Sequence, residues 1–309
     1  MRIAIMGSGG MGGYFGGMLA RAGEDVHFIA RGAHLEAMKA SGLTVKTSKA
    51  EEFNITAKAT DNPADIGAVD LVLFCVKTFD TEEIANFIKP LIGPDTVVMS
   101  LQNGVDNEEI IEKIIGPGHV IGAAAYVLAK IDSPGVISES INWKIILGER
   151  TGEHTQRVEQ ITKAFEAAGQ TVEVPDDINV AIWSKLLGIT TMAAITCVTR
   201  LPAAHIFSCP ETRALTHGIL DEGISVAIAN EIAIPDTLGD EFKALFDTFP
   251  PNYRASMYQD LENGRRMELD DIIGVIVRLG EELGVPTPLT FAAYASLKPY
   301  ANGKPAMPT

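Results

Sequence analysis

The stretch Arg2-Ile3-Ala4-Ile5-Met6-Gly7-Ser8-Gly9-Gly10-Met11-Gly12 decides the fold. Its first five residues read as a buried strand. The next six match G-x-G-x-x-G, and a helical pattern continues from them through Arg21 to a stop at Gly23. A strand running through this spacing into a helix is the fingerprint of a dinucleotide-binding turn. In it Gly7 permits the tight bend, Gly9 lets the backbone approach a pyrophosphate, and Gly12 lets the helix pack close on the strand. The unpaired amides of the helix start, over Ser8, Gly10 and Met11, face the phosphates. A flexible glycine loop is the ordinary alternative for such a string, but here the strand before it and the helix after it supply the confirming context.

Outward from this point, short apolar runs alternate with helix-like segments, the pattern of a parallel sheet covered by helices. Candidate strands are Arg2 to Met6, Asp25 to Ala30, Leu71 to Val76 and Thr96 to Ser100. From His119 to Gly148 strand-like runs are separated by Ser133-Pro134-Gly135 and by Ser140-Ile141-Asn142, which predicts an antiparallel extension of the sheet. After Val174 the strands cease, and helical spacing broken by prolines takes over. The expected architecture is α/β: a Rossmann-type dinucleotide-binding domain over residues 1–174, then an all-α domain over 175–309 that carries substrate and catalysis. A cleft between the two is the expected site.

The second strand ends Phe28-Ile29-Ala30-Arg31-Gly32. An NAD enzyme places an acid there to hold the ribose hydroxyls; Arg31 stands in its place. A guanidinium can take the 2′-phosphate of NADPH, which an acid would repel, and His34 offers a second donor. The alternative for Arg31 is a solvated loop arginine.

These residues resemble the 2-dehydropantoate 2-reductase (ketopantoate reductase) family over nearly the whole chain. The similarity rests on Arg2 to Gly17, Ala30-Arg31-Gly32, Cys75-Val76-Lys77, Leu101-Gln102-Asn103-Gly104, Ile182-Trp183-Ser184-Lys185-Leu186, and Ser256-Met257-Tyr258-Gln259-Asp260 followed by Glu268. The resemblance implies NADPH as hydride donor and reduction of a 2-oxo acid to a D-2-hydroxy acid. Its leading substrate is 2-dehydropantoate, giving (R)-pantoate on the way to pantothenate. It also implies roles: Lys185 as proton donor and substrate ligand, Asn103 and Lys77 beside the cofactor, Ser256 on the substrate, and Glu268 near cofactor and lysine.

The residues speak to each role separately. Lys185 is the one charged side chain from Ile178 to Thr199, so burial would lower its pKa toward that of a usable general acid. A snorkelling lysine is the alternative. Glu268, Ile272, Val275 and Leu279 are spaced to place the acid beside the apolar stripe of the last long helix, where it can meet a buried lysine or a ribose hydroxyl; a capping or solvated glutamate fits the same spacing. Asn103-Gly104 and Lys77 both follow apolar strands, at the end where open parallel sheets bind ligands. An ordinary turn and a loop lysine are their alternatives. Ser256 suits a substrate carboxylate or the cap of the helix after it. One departure from the family stands out: where it carries two asparagines, one and two helical turns after the lysine, this chain has Ile189 and Ala193. Losing two amides disfavours a hydroxylated substrate and points to a more apolar branched or aromatic 2-oxo acid as the alternative.

Composition narrows the remaining classes. The chain has 309 residues, 40 acidic against 25 basic, for a formal charge of −15, which repels nucleic acid and anionic membranes. Three scattered cysteines suggest neither disulfides nor zinc, and no histidine spacing suggests a metal. The glycines after Met6 interrupt the first apolar run too early for a signal peptide, and no stretch reads as membrane-spanning, so a cytoplasmic protein is expected. A non-catalytic NADPH-sensing regulator is the alternative from another class; a sensor has no need of Lys185 and Glu268. Oligomeric state is open, a homodimer included.

Overall fold

The computed structural model describes residues 1–49 and 51–305. They divide into two compact units: residues 1–102 with 106–181, and residues 103–105 with 182–305 among those described. The division falls between residues 181 and 182, seven residues after the expected boundary at 174.

The first unit is a mixed sheet with helices. Its strands are β1 (Arg2–Met6), β2 (Asp25–Ile29), β3 (Leu43–Lys46), β4 (Glu52–Ile55), β5 (Lys58–Thr60), β6 (Leu71–Phe74), β7 (Val97–Ser100), β8 (Val120–Ser133), β9 (Val136–Gly148) and β10 (Val172–Glu173). Its helices are α1 (Gly10–Arg21), α2 (Gly32–Ser41), α3 (Thr81–Phe87), α4 (Asn107–Ile115) and α5 (Gln156–Ala167). The strand order is β4-β3-β9-β8-β7-β6-β1-β2-β5, with β10 on β9. From β8 through β5 all pairs are parallel, while β8 and β9 form a long antiparallel hairpin. β6, β7 and, after Arg2, β1 are buried along their whole length without alternation, as strands covered on both faces must be, while β2 starts with exposed Asp25 and a half-buried His27 before its buried end. The short pieces β3, β4, β5 and β10 are absent from the sequence-based expectation. Each has four residues or fewer, and pairing partners rather than their own patterning make them strands.

The break expected at Ser140-Ile141-Asn142 is not a break. Strand β9 runs through it, and the register against β8 shifts at Tyr126/Val127 and Leu128/Ala129. Polar residues that read as a turn are accommodated as bulges. Ser140 donates to the Leu128 carbonyl at 3.3 Å, and the Asn142 amide donates to the Tyr14 hydroxyl at 2.9 Å.

The glycines of α1 have two packing duties. A Cβ on Gly16 would lie 2.5 Å from the Phe28 ring and 2.8 Å from Ile5, so this face is pressed on β1 and β2. A Cβ on Gly13 would meet Ile137 at 2.7 Å, and one on Gly17 would meet Val45 at 2.6 Å. The same helix is therefore gripped by β3 and β9 from another side, and the sheet curls round it. Tyr14 and Phe15 between these glycines are fully buried.

The second unit is helical: α6 (Ile178–Thr199, shared across the boundary), α7 (Ala203–Ser208), α8 (Pro210–Ala229), α9 (Leu238–Phe246), α10 (Ser256–Glu262), a π-helical turn Asp270–Gly274, α11 (Val275–Leu283) and α12 (Pro288–Leu297). Its core joins Trp183, Leu186 and Leu187 of α6 to Met257, Leu269, Ile272 and Ile276. Contrary to the expectation that no stretch is membrane-spanning, α6 is long and apolar enough by length and composition, although 67% of its most apolar window is buried inside the protein. A helix apolar on every side is what the centre of an all-α unit requires.

Candidate active site

The parallel order β7-β6-β1-β2 brings the carboxyl ends of four strands to one edge. The glycine turn follows β1, Arg31 follows β2, Lys77 follows β6 and Asn103 follows β7. Residues scattered over a hundred positions are thereby aligned by topology alone.

The turn is built as the sequence predicts. Gly7 has φ +93°, open to glycine and strained for other residues, and its neighbours at Val76 and Cys75 leave no space for a side chain. A Cβ on Gly12 would run into the Gly7 carbonyl and come within 2.8 Å of Ile5. Gly9 caps α1 in an extended conformation, and nothing lies within 4 Å of where its Cβ would be. Gly10 is closed on its side by Ala129 and Lys130 of β8, while Met11 is half-buried against the sheet core. The first turn of α1 carries no acid, and its leading amides have no partner within the helix. These features fit a pyrophosphate on the open side of Gly9. Ser8 has a different role, since its amide and its hydroxyl both donate to the Ile29 carbonyl, at 3.2 and 3.0 Å, and tie the turn to the end of β2.

Arg31 is exposed and extended, at the N-cap of α2. His34 follows it in α2, with one ring nitrogen engaged elsewhere and the other, Nε2, left as its donor. Its Nδ1 accepts the Gly135 amide at 3.0 Å, joining α2 to the β8–β9 turn. Burial pushes the imidazole pKa below its ordinary value, against an opposing backbone contact with Ser8. The ring is held neutral and cannot serve as a cation for phosphate.

Lys77 is exposed at the strand end, ahead of a 3-10 turn. Asn103 is half-buried, and Gly104 after it has φ +104°. Beneath them runs a network not anticipated from sequence. Buried Gln102 accepts from Ser100 at 3.1 Å and donates to Thr81 at 2.9 Å, and Thr81 donates to the Thr78 carbonyl at 2.6 Å. Glutamine and threonine next to an apolar strand carry no sequence signal of this kind. Only the approach of β7 to α3 creates it.

In the second unit Lys185 is 9% exposed and Glu268 7%, an ammonium and a carboxylate both withdrawn from water. Trp183, Leu186 and Leu187 beside the lysine are core residues, so the solvated, snorkelling alternative does not describe it. Glu268 stands at the start of the helical stretch, Leu269 after it being already helical. It precedes the π turn, its carbonyl accepting from the Ile272 amide at 3.1 Å, and α11 begins only at Val275, with α12 still to follow. The regular spacing of four, three and four is interrupted by that wide turn, yet the acid is buried all the same. Ser256 is the exposed first residue of α10, whose cap is Ala255; the capping alternative therefore falls away. Ile189 is half-buried and Ala193 fully buried. Burial pushes the Cys75 thiol far up and the Cys197 thiol up to about 12, so neither is available as a thiolate nucleophile. Among the described residues no group of three or more His, Cys, Asp and Glu is arranged to hold a metal ion.

Comparison with known proteins agrees with this geometry. The family model described as "Ketopantoate reductase PanE/ApbA" matches residues 3–152, and that described as "Ketopantoate reductase PanE/ApbA C terminal" matches residues 177–301. The 2-dehydropantoate 2-reductase of Mesorhizobium japonicum is 32% identical, over 96% of this chain and 97% of the relative. The crystal structure of 2-dehydropantoate 2-reductase from Geobacter metallireducens superposes with a TM-score of 0.91 at 32% identity, covering 96% of this chain and 99% of that one. A D-mandelate dehydrogenase, solved with NADH and anilino(oxo)acetate, reaches 0.89 at 25% identity, covering 97% and 98%. The chain thus belongs to the ketopantoate reductase family, pyridine-nucleotide-dependent oxidoreductases that reduce 2-oxo acids.

Proposed function

We propose that the protein reduces 2-dehydropantoate to (R)-pantoate at the expense of NADPH. One observation carries the reading: within a chain of this family, the ammonium of Lys185 is buried on a helix of 22 residues that has no other charge. The glycine turn over Gly7, Gly9, Gly10, Met11 and Gly12 would hold the pyrophosphate, Arg31 the 2′-phosphate, and Lys77 and Asn103 the nicotinamide half. When bound, the reduced nicotinamide supplies the hydride for the carbonyl carbon. The chain's own residues supply the rest. Lys185 attracts the substrate's carboxylate and carbonyl oxygen, then gives its proton to the oxygen as negative charge develops there. Glu268 offsets the cost of keeping that ammonium out of water. Asn103 both donates and accepts, and Ser256 donates to the carboxylate.

The test is NADPH oxidation with 2-dehydropantoate, in the wild type and in Lys185→Ala. Loss of a general acid lowers turnover by about two to four orders of magnitude. NADPH affinity stays near wild type, because the turn and Arg31 belong to the other unit. A Lys185→Ala enzyme with wild-type turnover would send the search for the proton donor to Glu268.

A second reading has its own support. Ile189 and Ala193 stand where the family carries asparagines, and a structural relative is a D-mandelate dehydrogenase. A branched or aromatic 2-oxo acid without a hydroxyl would then be preferred. Comparing catalytic efficiency for 2-dehydropantoate and 2-oxoisovalerate separates the two readings.

A further inference from the structure

Between Glu268 and α11 the chain makes one wide turn, Asp270–Gly274. A π turn is the equivalent of one residue inserted into an α-helix. It rotates the residues before it by about 100° relative to those after it, and it survives where neighbours hold it. Here it is held from both sides. Tyr294 donates to the Asp270 carboxylate at 2.7 Å, Lys298 pairs with the same carboxylate, and Gly274 makes room for the Tyr294 ring, which a Cβ would meet at 2.8 Å. On the other side the Thr190 hydroxyl of α6 donates to the Ile272 carbonyl at 2.6 Å, and Thr190 is 2% exposed.

That bond is not what a helical threonine does by default. Thr191, Thr196 and Thr199 of the same helix donate to their own carbonyls four residues back, at 2.8, 2.5 and 2.6 Å. Thr190 reaches across instead. Its carbonyl partner belongs to Ile272, whose amide is bound to the Glu268 carbonyl. A continuous chain of short links therefore runs from Lys185, along five residues of α6, through Thr190 and Ile272 to Glu268.

We propose that Thr190 is a positioning residue for the reaction, its hydroxyl clamping the π turn to α6 and so setting the register of Glu268 against Lys185. The proposal rests on the reading that Lys185 and Glu268 serve the reaction. Removing the hydroxyl leaves the Ile272 carbonyl buried without that donor and lets the turn slide or unwind toward α geometry. Glu268 then moves, while the nucleotide turn in the other unit does not.

Steady-state kinetics with NADPH and 2-dehydropantoate test it in Thr190→Val, Thr190→Ser and Lys185→Ala. In Thr190→Val, kcat falls roughly tenfold to a hundredfold, the loss expected for a displacement near 1 Å, with KM for NADPH unchanged. Thr190→Ser, which keeps the hydroxyl, recovers most of the loss. Should Thr190→Val fail to fold, Thr190→Ala removes the same hydroxyl, and the same fall in kcat at constant KM for NADPH is expected there. Wild-type kcat in Thr190→Val, or in Thr190→Ala where that variant must stand in, while Lys185→Ala is crippled, overturns the clamp alone. So does a Thr190→Ser variant as slow as Thr190→Val. Wild-type turnover in Lys185→Ala overturns the underlying reading first.

Discussion

Alanine at Gly9 and at Gly12 should have opposite consequences, although both replace a glycine of one fingerprint. At Gly12 the new methyl group meets the Gly7 carbonyl and the Ile5 side chain, a backbone atom and a β-branched core residue that cannot swing away. Overpacking of this kind costs about 1–3 kcal/mol, and the helix propensity gained over glycine offsets about 1 kcal/mol of it. Because the clash is with backbone, the cost falls at the upper end of that range, and a net loss of about 2 kcal/mol lowers the melting temperature by roughly 4–8 °C for a unit of this size. At Gly9 nothing lies within 4 Å of the new methyl, and φ of −71° suits alanine. Its loss as a helix cap and its gain in unfolded-state entropy are each below about 1 kcal/mol and opposed, so stability stays near wild type. The space that methyl fills is the space a pyrophosphate needs. NADPH affinity should fall about tenfold or more in Gly9→Ala, the equivalent of at least ~1.4 kcal/mol. Thermal denaturation without cofactor and a fluorescence titration with NADPH measure both sides. A Gly9→Ala protein that binds NADPH as the wild type does would show that the phosphates do not lie on that side of the turn. A Gly12→Ala protein with unchanged melting would show that β1 and α1 are not in close contact there.

Three further expectations come from other parts of the structure. Arg31→Asp should weaken NADPH by about one to two orders of magnitude and leave NADH little changed, since a charge-assisted contact is worth roughly 1.5–3 kcal/mol; equal effects on both cofactors would contradict the 2′-phosphate assignment. Ile189→Asn should raise the efficiency ratio of 2-dehydropantoate to 2-oxoisovalerate about tenfold, and an unchanged ratio would remove Ile189 from substrate selection; it is the better position to change, because Ala193 is fully buried and an amide there would sit in the core. His34, whose pKa burial lowers, stays neutral in the folded protein where the unfolded chain takes up a proton. Its contribution is therefore intact above about pH 6.5 and lost as pH falls from there through the lower folded value. Melting temperature against pH should drop less steeply below 6.5 in His34→Gln than in the wild type, and parallel curves would refute the assignment.

The sequence by itself determined the elements whose signal is local. The glycine fingerprint, the four central strands and the proline-punctuated helical half each follow from backbone freedom, apolar burial or a missing amide, and all three are present. The lone lysine of α6 was legible for the same reason, because an uncharged helix needs no partner to be recognised. Tertiary structure decided the features that depend on a neighbour distant in sequence. Strands β3, β4, β5 and β10 exist through pairing, the Ser140–Asn142 stretch became bulged strand because β8 lies beside it, and His34 was taken by Gly135, 101 residues away. The wide turn after Glu268 belongs to the same class. Spacing of four, three and four describes an ordinary helix, whereas the π turn there is contacted by Thr190 of α6 and by Tyr294 and Lys298, residues distant in sequence. Hydrophobic period is written residue by residue, but the energy of a hydrogen bond between distant segments is realised only once the core has brought its two ends together.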